Sequence, residues 1–481
     1  PVQPGQSIQV ELEFTAQLPR VFARTGWALD SRSQPYFMAG QWFPKLGVWT
    51  EDGWNAHPFH ANSEFFADFG VYDVRISVPE GYVIAAGGVQ AGAAEGDNPS
   101  AVRFLAENVI DFAWAASPNF RTASRRLGST ELVYYYLPEH AWTVNRVLNA
   151  AEAAVSCFSA WYGDYPYPRF SLVDVPDSAP GAGGMEYPTL VTVGAAGMAG
   201  AGSGLSERLG ITRGLEIVTI HETAHQWWQS LAAFNEAEEP WLDEGLADYS
   251  TLLAMSGVCG KAQPAAGLGS FELSYLDLRR SEFLLLPDVP ISGKAWDYNR
   301  LDYAIAAYSK PALSLLTMRR VLGEETMDKL MGEFFRRYRF KHPTAADFRR
   351  TAAETSGKDL NWFFEGLAKG GATLNYSALE ISERSFTAAR QGDLIIPTEI
   401  LVNFADGSQQ RVAWDGQPAE RTFTFGQPLE SFVIDPDRAL LVELVWSDNG
   451  LSNRPNWPAW LAAAARLLYR LQDWLLTAGG I

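Results

Sequence analysis

His221-Glu222-Thr223-Ala224-His225 lies inside a run of helical texture, Leu215 to Leu231, so its two imidazoles, four residues apart, project from one helix face. Neutral imidazole nitrogens in that geometry suit a shared Zn2+ ion. A catalytic zinc takes three protein ligands and leaves the fourth position to water, so a third ligand has to come from elsewhere. Nineteen positions after His225 stands Glu244, in Pro240-Trp241-Leu242-Asp243-Glu244-Gly245-Leu246-Ala247-Asp248-Tyr249, where Pro240 suits the first turn of a second helix. Two antiparallel helices joined through Glu236, Glu238 and Glu239 would turn Glu244 toward the histidines. Asp248, one helical turn further on, shares that face and is expected to accept the free N–H of a zinc-bound histidine, fixing its tautomer. The competing reading of Glu244 and Asp248 is a solvated helix face. Glu222 points about 100° around the helix from His221, beside the ion rather than at it. A carboxylate there can take a proton from activated water and pass it to a leaving amine.

Around this segment the texture stays helical. From Val144 to Tyr162 apolar residues recur at three- and four-residue spacings among alanines. Short strands are expected at Phe170 to Val175 and Pro188 to Val193, on either side of the Gly- and Pro-rich Pro180 to Gly184, and helices dominate from about Leu215 to Leu367. A mostly helical middle domain over residues 139–372, with a small sheet, is the result. Ahead of it, residues 1–138 favour antiparallel strands, because Ser7 to Phe14, Tyr72 to Val78 and Glu131 to Tyr136 alternate polar and apolar side chains. Behind it, alternation resumes from Tyr376 to Val445 with turns at Asp406-Gly407 and Asp415-Gly416, predicting a small β-sandwich over residues 373–448. Residues 449–481 read as a linker and an amphipathic helix. Its Leu461, Ala464, Leu468, Leu471 and Leu475 share one face, and Arg466, Arg470 and Asp473 share another. That apolar face is expected to pack on its own protein, with contact to a membrane surface or a partner through residues 460–478 as the alternative. The fold class is multidomain α+β.

Composition bounds the functions available. The 481 residues are 47% hydrophobic and 13% aromatic, a globular balance long enough for two to four domains. Lys plus Arg number 38 against 56 Asp plus Glu, and a net charge of −18 repels phosphate, so no nucleic-acid partner is expected. No segment approaches the roughly 18 uncharged apolar residues of a spanning helix. The two cysteines, Cys157 and Cys259, exclude a four-cysteine zinc site and are read as buried thiols. His57 and His60, on either side of Pro58, read as a polar loop, and His140 and His342 as turn or cap residues. The chain begins at Pro1 rather than Met, so its compartment is not assigned from that end.

HExxH, eighteen intervening residues and the Glu of Trp241-Leu242-Asp243-Glu244-Gly245 resemble the zinc signature of the gluzincin aminopeptidases related to aminopeptidase N. Gly183-Gly184-Met185-Glu186-Tyr187 resembles that family's GxMEN exopeptidase motif, and Tyr308-Ser309-Lys310 its YxKG tyrosine motif, in the same order along the chain. The resemblance implies a thermolysin-like catalytic domain with one Zn2+ held by His221, His225 and Glu244, and Glu222 as general base. It further implies that Tyr308 stabilises the oxyanion, and that Gly183, Gly184, Met185 and Glu186 bind substrate, with Glu186 on the α-ammonium of a peptide with a free N-terminus. The residues agree: a carboxylate after a glycine run, leading into the strand at Pro188 to Val193, suits a cation beside an extended backbone. Taken alone, Gly-Gly-Met-Glu reads as a turn before a strand, and Tyr303 competes with Tyr308 for the oxyanion role. Two positions depart from the motifs. Tyr187 stands where the family has Asn, which leaves substrate preference open, and Pro311 stands where it has Gly, a residue the first turn of a helix from Pro311 to Val321 tolerates. The family's N-terminal β-domain has more residues ahead of GxMEN, so its first strands are expected outside this chain. The β-segment and tail helix stand in place of the family's large C-terminal helical domain. The alternatives are a zinc endopeptidase with a cleft open at both ends, and a non-catalytic zinc-binding scaffold for protein contacts.

Overall fold

Two hydrophobic strands, Arg169–Val175 and Leu190–Gly194, are buried along nearly their whole length, as parallel strands covered on both faces must be. The computed structural model describes residues 3, 5–21, 23–93, 101–194, 204–258, 260–453 and 457–479. Within it these two strands pair with each other in parallel, and Arg169–Val175 also pairs in parallel with Thr130–Tyr136, which pairs antiparallel with Arg121–Leu127. Sheet pairing therefore runs across residue 138, and strands from both sides of it build one surface. The connecting helix Val144–Tyr162 buries Val147, Leu148, Ala151, Ala154, Val155 and Phe158, the three- and four-residue rhythm read in the sequence.

The helix Gly214–Ala224, which carries His221 and is closed by His225, packs against Val144–Tyr162 and against Leu246–Met255, and almost every residue in it is buried. It stops at Ala224, not near Leu231. Beyond it the chain enters turns that bury both Trp227 and Trp228, whose indole N–H groups donate to Gly163 O at 2.8 Å and Ser250 Oγ at 3.0 Å. Burying two adjacent indoles, each with its N–H satisfied, is what ends the helix.

Ahead of this core, Gly26–Leu29, Pro35–Ala39, Trp114–Ser117 and Val83–Ala86 form one antiparallel sheet, and Gly70–Ile76, Val102–Val109 and Val89–Ala93 a second. The alternating Ser7 to Phe14 forms no strand. Ile8, Val10, Leu12 and Phe14 are all exposed, because alternation alone cannot satisfy backbone N–H and C=O groups without a partner strand. Toward the C-terminal end, Asn375–Ile381, Ser385–Gln391 and Glu420–Thr424 face Gln409–Trp414, Thr398–Phe404, Leu429–Ile434 and Gly450–Ser452. The two sheets meet through Phe386 stacked on Phe432, ring centroids 4.0 Å apart.

The tail helix is Trp457–Gly479. Leu461, Leu468, Leu471 and Leu475 are 48–66% exposed, which corrects the expectation that this stripe packs on its own protein. Among the described residues, no helix is long and apolar enough to cross a membrane. Cys157 is disulfide-bonded, which corrects the buried-thiol reading; Cys259 lies outside the described residues.

His140 is no ordinary turn residue. It is buried, and its Nδ1 donates to Asp174 at 2.8 Å, while Asp174 also accepts the Leu137 N–H at 2.9 Å. Burial, the largest effect on both groups, pushes His140 down and Asp174 up. At His140 the hydrogen bond and charge of Asp174 outweigh it and carry the imidazole up to about 9. A histidine raised above its unfolded value of about 6.5 contributes stability that is complete below that pH and lost as pH rises through the folded value. Unfolding free energy should accordingly fall by about 2 kcal/mol between pH 6.5 and 9 in denaturant titrations, and His140→Gln should flatten that dependence.

Candidate active site

Glu244 and Tyr308 both sit on π-helical turns, Trp241–Gly245 and Ala304–Ser309, which pack against each other and run on into the α-helices Leu246–Met255 and Lys310–Leu322. A π-turn inserts a residue into the helical ladder and re-aims side chains, a device frequent at functional sites. Pro311 is the second residue of the second α-helix, just past its junction with the π-turn. Its ring rests on Gly245, where a Cβ would stand 2.8 Å from Pro311 Cβ. That contact sets the two turns against each other and so brings Tyr308 to Glu244.

The structure brings His221, His225 and Glu244 together. Their Nε2, Nε2 and Oε2 atoms form a triangle with sides of 3.1, 3.1 and 3.2 Å, all three residues buried. Tetrahedral zinc, at about 2.0–2.1 Å from each ligand, needs donors a little over 3 Å apart. The chemistry of the triangle also fits. His225 Nδ1 faces Asp243 Oδ1, so in a neutral His225 that donates there Nε2 carries the lone pair and, with His221 Nε2 and Glu244 Oε2, makes a donor set that fits a divalent cation. Burial pushes both Glu244 and Asp243 upward. At Glu244 the hydrogen bonds and charges of the two imidazoles outweigh it and hold the carboxyl well below the usual range, whereas Asp243 is carried up to about 7.

Asp248, the residue expected to orient a histidine, is turned elsewhere. Its Oδ1 lies 3.8 Å from His221 Nδ1, beyond hydrogen-bond range, and the carboxylate instead takes Arg279 Nε at 2.8 Å, Arg279 Nη2 at 3.0 Å and the Tyr275 hydroxyl at 2.5 Å. The orienting contact is made by Asp243 on His225. Asp243 went unread in the sequence because it adjoins Glu244 and a straight α-helix would point it elsewhere; the π-turn points it inward.

Glu222 borders the cavity beside the triangle, with Oε1 3.5 Å from where a Cβ on Gly184 would stand and Oε2 buried without a hydrogen-bond partner. Burial, opposed by the charge of His225, pushes it up to about 8, and a cation at the triangle would draw it down. Gly184 has φ +72°, a conformation that favours glycine. Gly184 N donates to Thr192 O and Thr192 N to Met185 O, both at 2.9 Å, so the edge of the strand Leu190–Gly194 is taken up by the glycine segment itself. A cavity of about 440 Å3 opens on His221, Glu222, Tyr308 and Gly184.

Tyr308 donates its hydroxyl hydrogen to Glu244 Oε1 and stacks on the His221 ring at 5.7 Å. Tyr303 is directed away, to Glu236 Oε1 at 3.1 Å. Glu186 lines a small adjoining cavity of about 20 Å3 with Glu64, Gln41 and Tyr187. Carboxylate oxygens of Glu186, Glu236 and Asp243 lie within 4.8 Å of one another, and Glu236 also accepts the Glu64 N–H at 2.7 Å. Burial, and then the charges of Glu64, Glu222 and Glu236 working against that of His225, push Glu186 well above the usual carboxylate range. Arg24 pairs with Glu64 at the margin. Glu64, Glu236 and Arg24 are gathered from distant parts of the chain, and no spacing in the sequence pointed to them. Tyr187 fits because it runs under Gly40, where a Cβ would fall 2.0 Å from its hydroxyl. His57 bonds Glu238 at 2.7 Å and His60 stacks on Trp296 at 4.4 Å.

Two substitutions probe this construction. Asp243→Asn should lower zinc affinity about 10- to 100-fold, read by chelator competition, because an amide replaces an anionic, acceptor-only group and no longer fixes the tautomer of His225. Gly245→Ala should cost about 1–3 kcal/mol in thermal or denaturant unfolding, since the new methyl overlaps the buried Pro311 ring.

Residues 146–367 match the Peptidase family M1 domain. The chain is 23% identical over 273 residues to the "Probable aminopeptidase 1" of Sulfurisphaera tokodaii, covering 54% of this chain and 34% of that one. It is 28% identical over 262 residues to the "Alanine/arginine aminopeptidase" of Saccharomyces cerevisiae (52% and 28%) and 26% identical over 232 residues to the bovine "Endoplasmic reticulum aminopeptidase 2" (47% and 23%). Each match spans about a third or less of the relative's length. The histidine pair, Glu244 and Tyr308 all fall inside the matched segment, and the chain carries a peptidase family M1 domain of the aminopeptidase N-like gluzincin type over residues 146–367.

Proposed function

We propose that the protein is a zinc-dependent aminopeptidase that removes the N-terminal residue of oligopeptides. The observation that carries this reading is the position of Glu186, a buried carboxylate within electrostatic reach of Glu222 and His225, in an M1 domain whose three metal donors converge. His221, His225 and Glu244 would hold one Zn2+, which when bound polarises the scissile carbonyl and acidifies water. Glu222, unpartnered at Oε2 and facing the cavity, takes the proton from the attacking water and returns it to the departing amine. Tyr308 reaches the same place, and its hydroxyl hydrogen, directed to Glu244 Oε1 in the structure, would turn to the oxygen on which charge develops. Burial and Glu244 both hold the Tyr308 hydroxyl well above its ordinary pKa, so it remains a donor throughout the working pH range.

Glu186, supported by Glu64 and Glu236, supplies negative charge that a substrate ammonium would neutralise. These carboxylates crowd one another in a buried place, and an arriving cation lets them ionise together. An N-terminus without charge brings no such compensation, and this is the physical basis for exopeptidase selection.

Hydrolysis of free and N-acetylated aminoacyl-arylamides, with zinc content measured on the same sample, tests the assignment. Chelator-sensitive cleavage of the free-amine substrates alone is expected; equal cleavage of acetylated substrates would indicate an endopeptidase, and zinc binding without cleavage of any peptide a scaffold. Glu222→Gln should lower kcat about 10^2- to 10^4-fold with little change in KM, because its proton transfer matters only on the way to the transition state. Near-wild-type turnover in that variant would rule out Glu222 as the base.

A further inference from the structure

The 440 Å3 cavity beside the metal donors carries two guanidinium groups, Arg279 and Arg300, and they stand in opposite electrostatic conditions. Arg279 is paired: Nη2 bonds Asp248 Oδ1 at 3.0 Å, Nε lies 2.8 Å from Asp248 Oδ2 in an ion pair, and Nη1 bonds Glu282 Oε2 at 2.7 Å. Arg300 is exposed at the cavity margin, and no carboxylate stands within ion-pair distance of it among the described residues. The neighbouring acid on its own turn, Asp302, is engaged by Asn299 Nδ2 at 2.7 Å. Glu186, Glu64 and Glu236 gather carboxyl groups around the small cavity, while Arg300 brings a guanidinium without an ion-pair partner to the large one, which is also lined by His221, Glu222 and Tyr308.

On the reading of the preceding section, a substrate with its ammonium at Glu186 and its scissile carbonyl at Glu222 and Tyr308 continues into the large cavity. The geometry points to Arg300 as a specificity residue that binds a carboxylate on the leaving side of the scissile bond, directing the enzyme toward di- and tripeptides with a free C-terminus. An Arg guanidinium matches a carboxylate in shape and pairs with it more strongly than with any neutral acceptor. Apart from His221, Glu222 and Tyr308, the residues lining this cavity, Ala304 and Val218 among them, offer no acceptor side chain. The acidic side chain of a leaving residue presents the same carboxylate chemistry from a second source.

The inference rests on the aminopeptidase reading, and one set of substrates separates the two. Wild-type protein is assayed on an alanyl-arylamide, Ala-Ala-Ala, Ala-Ala-Ala-amide and Ala-Glu-Ala-amide. The wild type should cleave the free tripeptide with a kcat/KM about fivefold or more above that of its amide, mainly through KM, the size expected of a charge-assisted contact at a partly exposed site. Arg300→Ala should bring that ratio close to 1, and Arg300→Lys should keep part of it. Recovery of the lost rate by Ala-Glu-Ala-amide would assign the contact to a side-chain carboxylate, and no recovery to the chain terminus. If the wild type cleaves the arylamide but treats acid and amide alike, or if Arg300→Ala keeps the wild-type ratio, the inference is overturned and the aminopeptidase assignment stands. If neither arylamide nor peptide is cleaved, the assignment itself fails and takes the inference with it.

Discussion

Three lone-pair donors held within 3.2 Å of one another in a buried place are the constraint on which the centre of this molecule depends. Folding has to bring His221, His225 and Glu244 together and keep them there. It does so with rigid neighbours. The histidine helix is buried on every side, Asp243 fixes the tautomer of His225, and Glu244 rides on a π-turn pressed against a second π-turn through Gly245 and Pro311. A ligand set on such elements is pre-organised, so metal binding does not have to order the chain as well.

The same low-dielectric surroundings shape the cleft as a whole. Carboxylates outnumber cations around Glu186, and burial raises Glu186, Glu64 and Glu236 together. Arg24 pairs with Glu64, and the remaining carboxyls are crowded groups whose ionisation a ligand cation would favour. At the larger cavity Asp248 and Glu282 are engaged by Arg279, while Arg300 has no ion-pair partner among the described residues.

Much of the site was legible because metal chemistry imposes local spacing. Two histidines four residues apart on a helix must share a face, and a carboxylate a short connection later can turn back to them. The helix Val144–Tyr162 and the strands near 170 and 190 were legible for a similar reason, since their periodicity comes from burial on one or both faces. Periodicity failed where no partner met it. Ser7 to Phe14 alternates without a neighbouring strand, and the tail helix presents leucines to solvent. The disulfide at Cys157 was misread because two cysteines carry no spacing signal of their own.

What the sequence determined by itself was which side chains belong together: a histidine pair, the carboxylate next to its first member, a second carboxylate nineteen positions on, a glycine-bounded carboxylate and a tyrosine, each marked by residue type and short-range spacing. Tertiary structure decided which groups support them. Asp243 rather than Asp248 orients a histidine, Glu64 and Glu236 join Glu186 from 122 and 50 positions away, and Arg300 is the guanidinium left uncompensated. The physical reason is that a ligand-binding atom needs a particular side chain, which the sequence names, whereas compensation of buried charge depends on which distant groups the packed chain brings within a few ångströms.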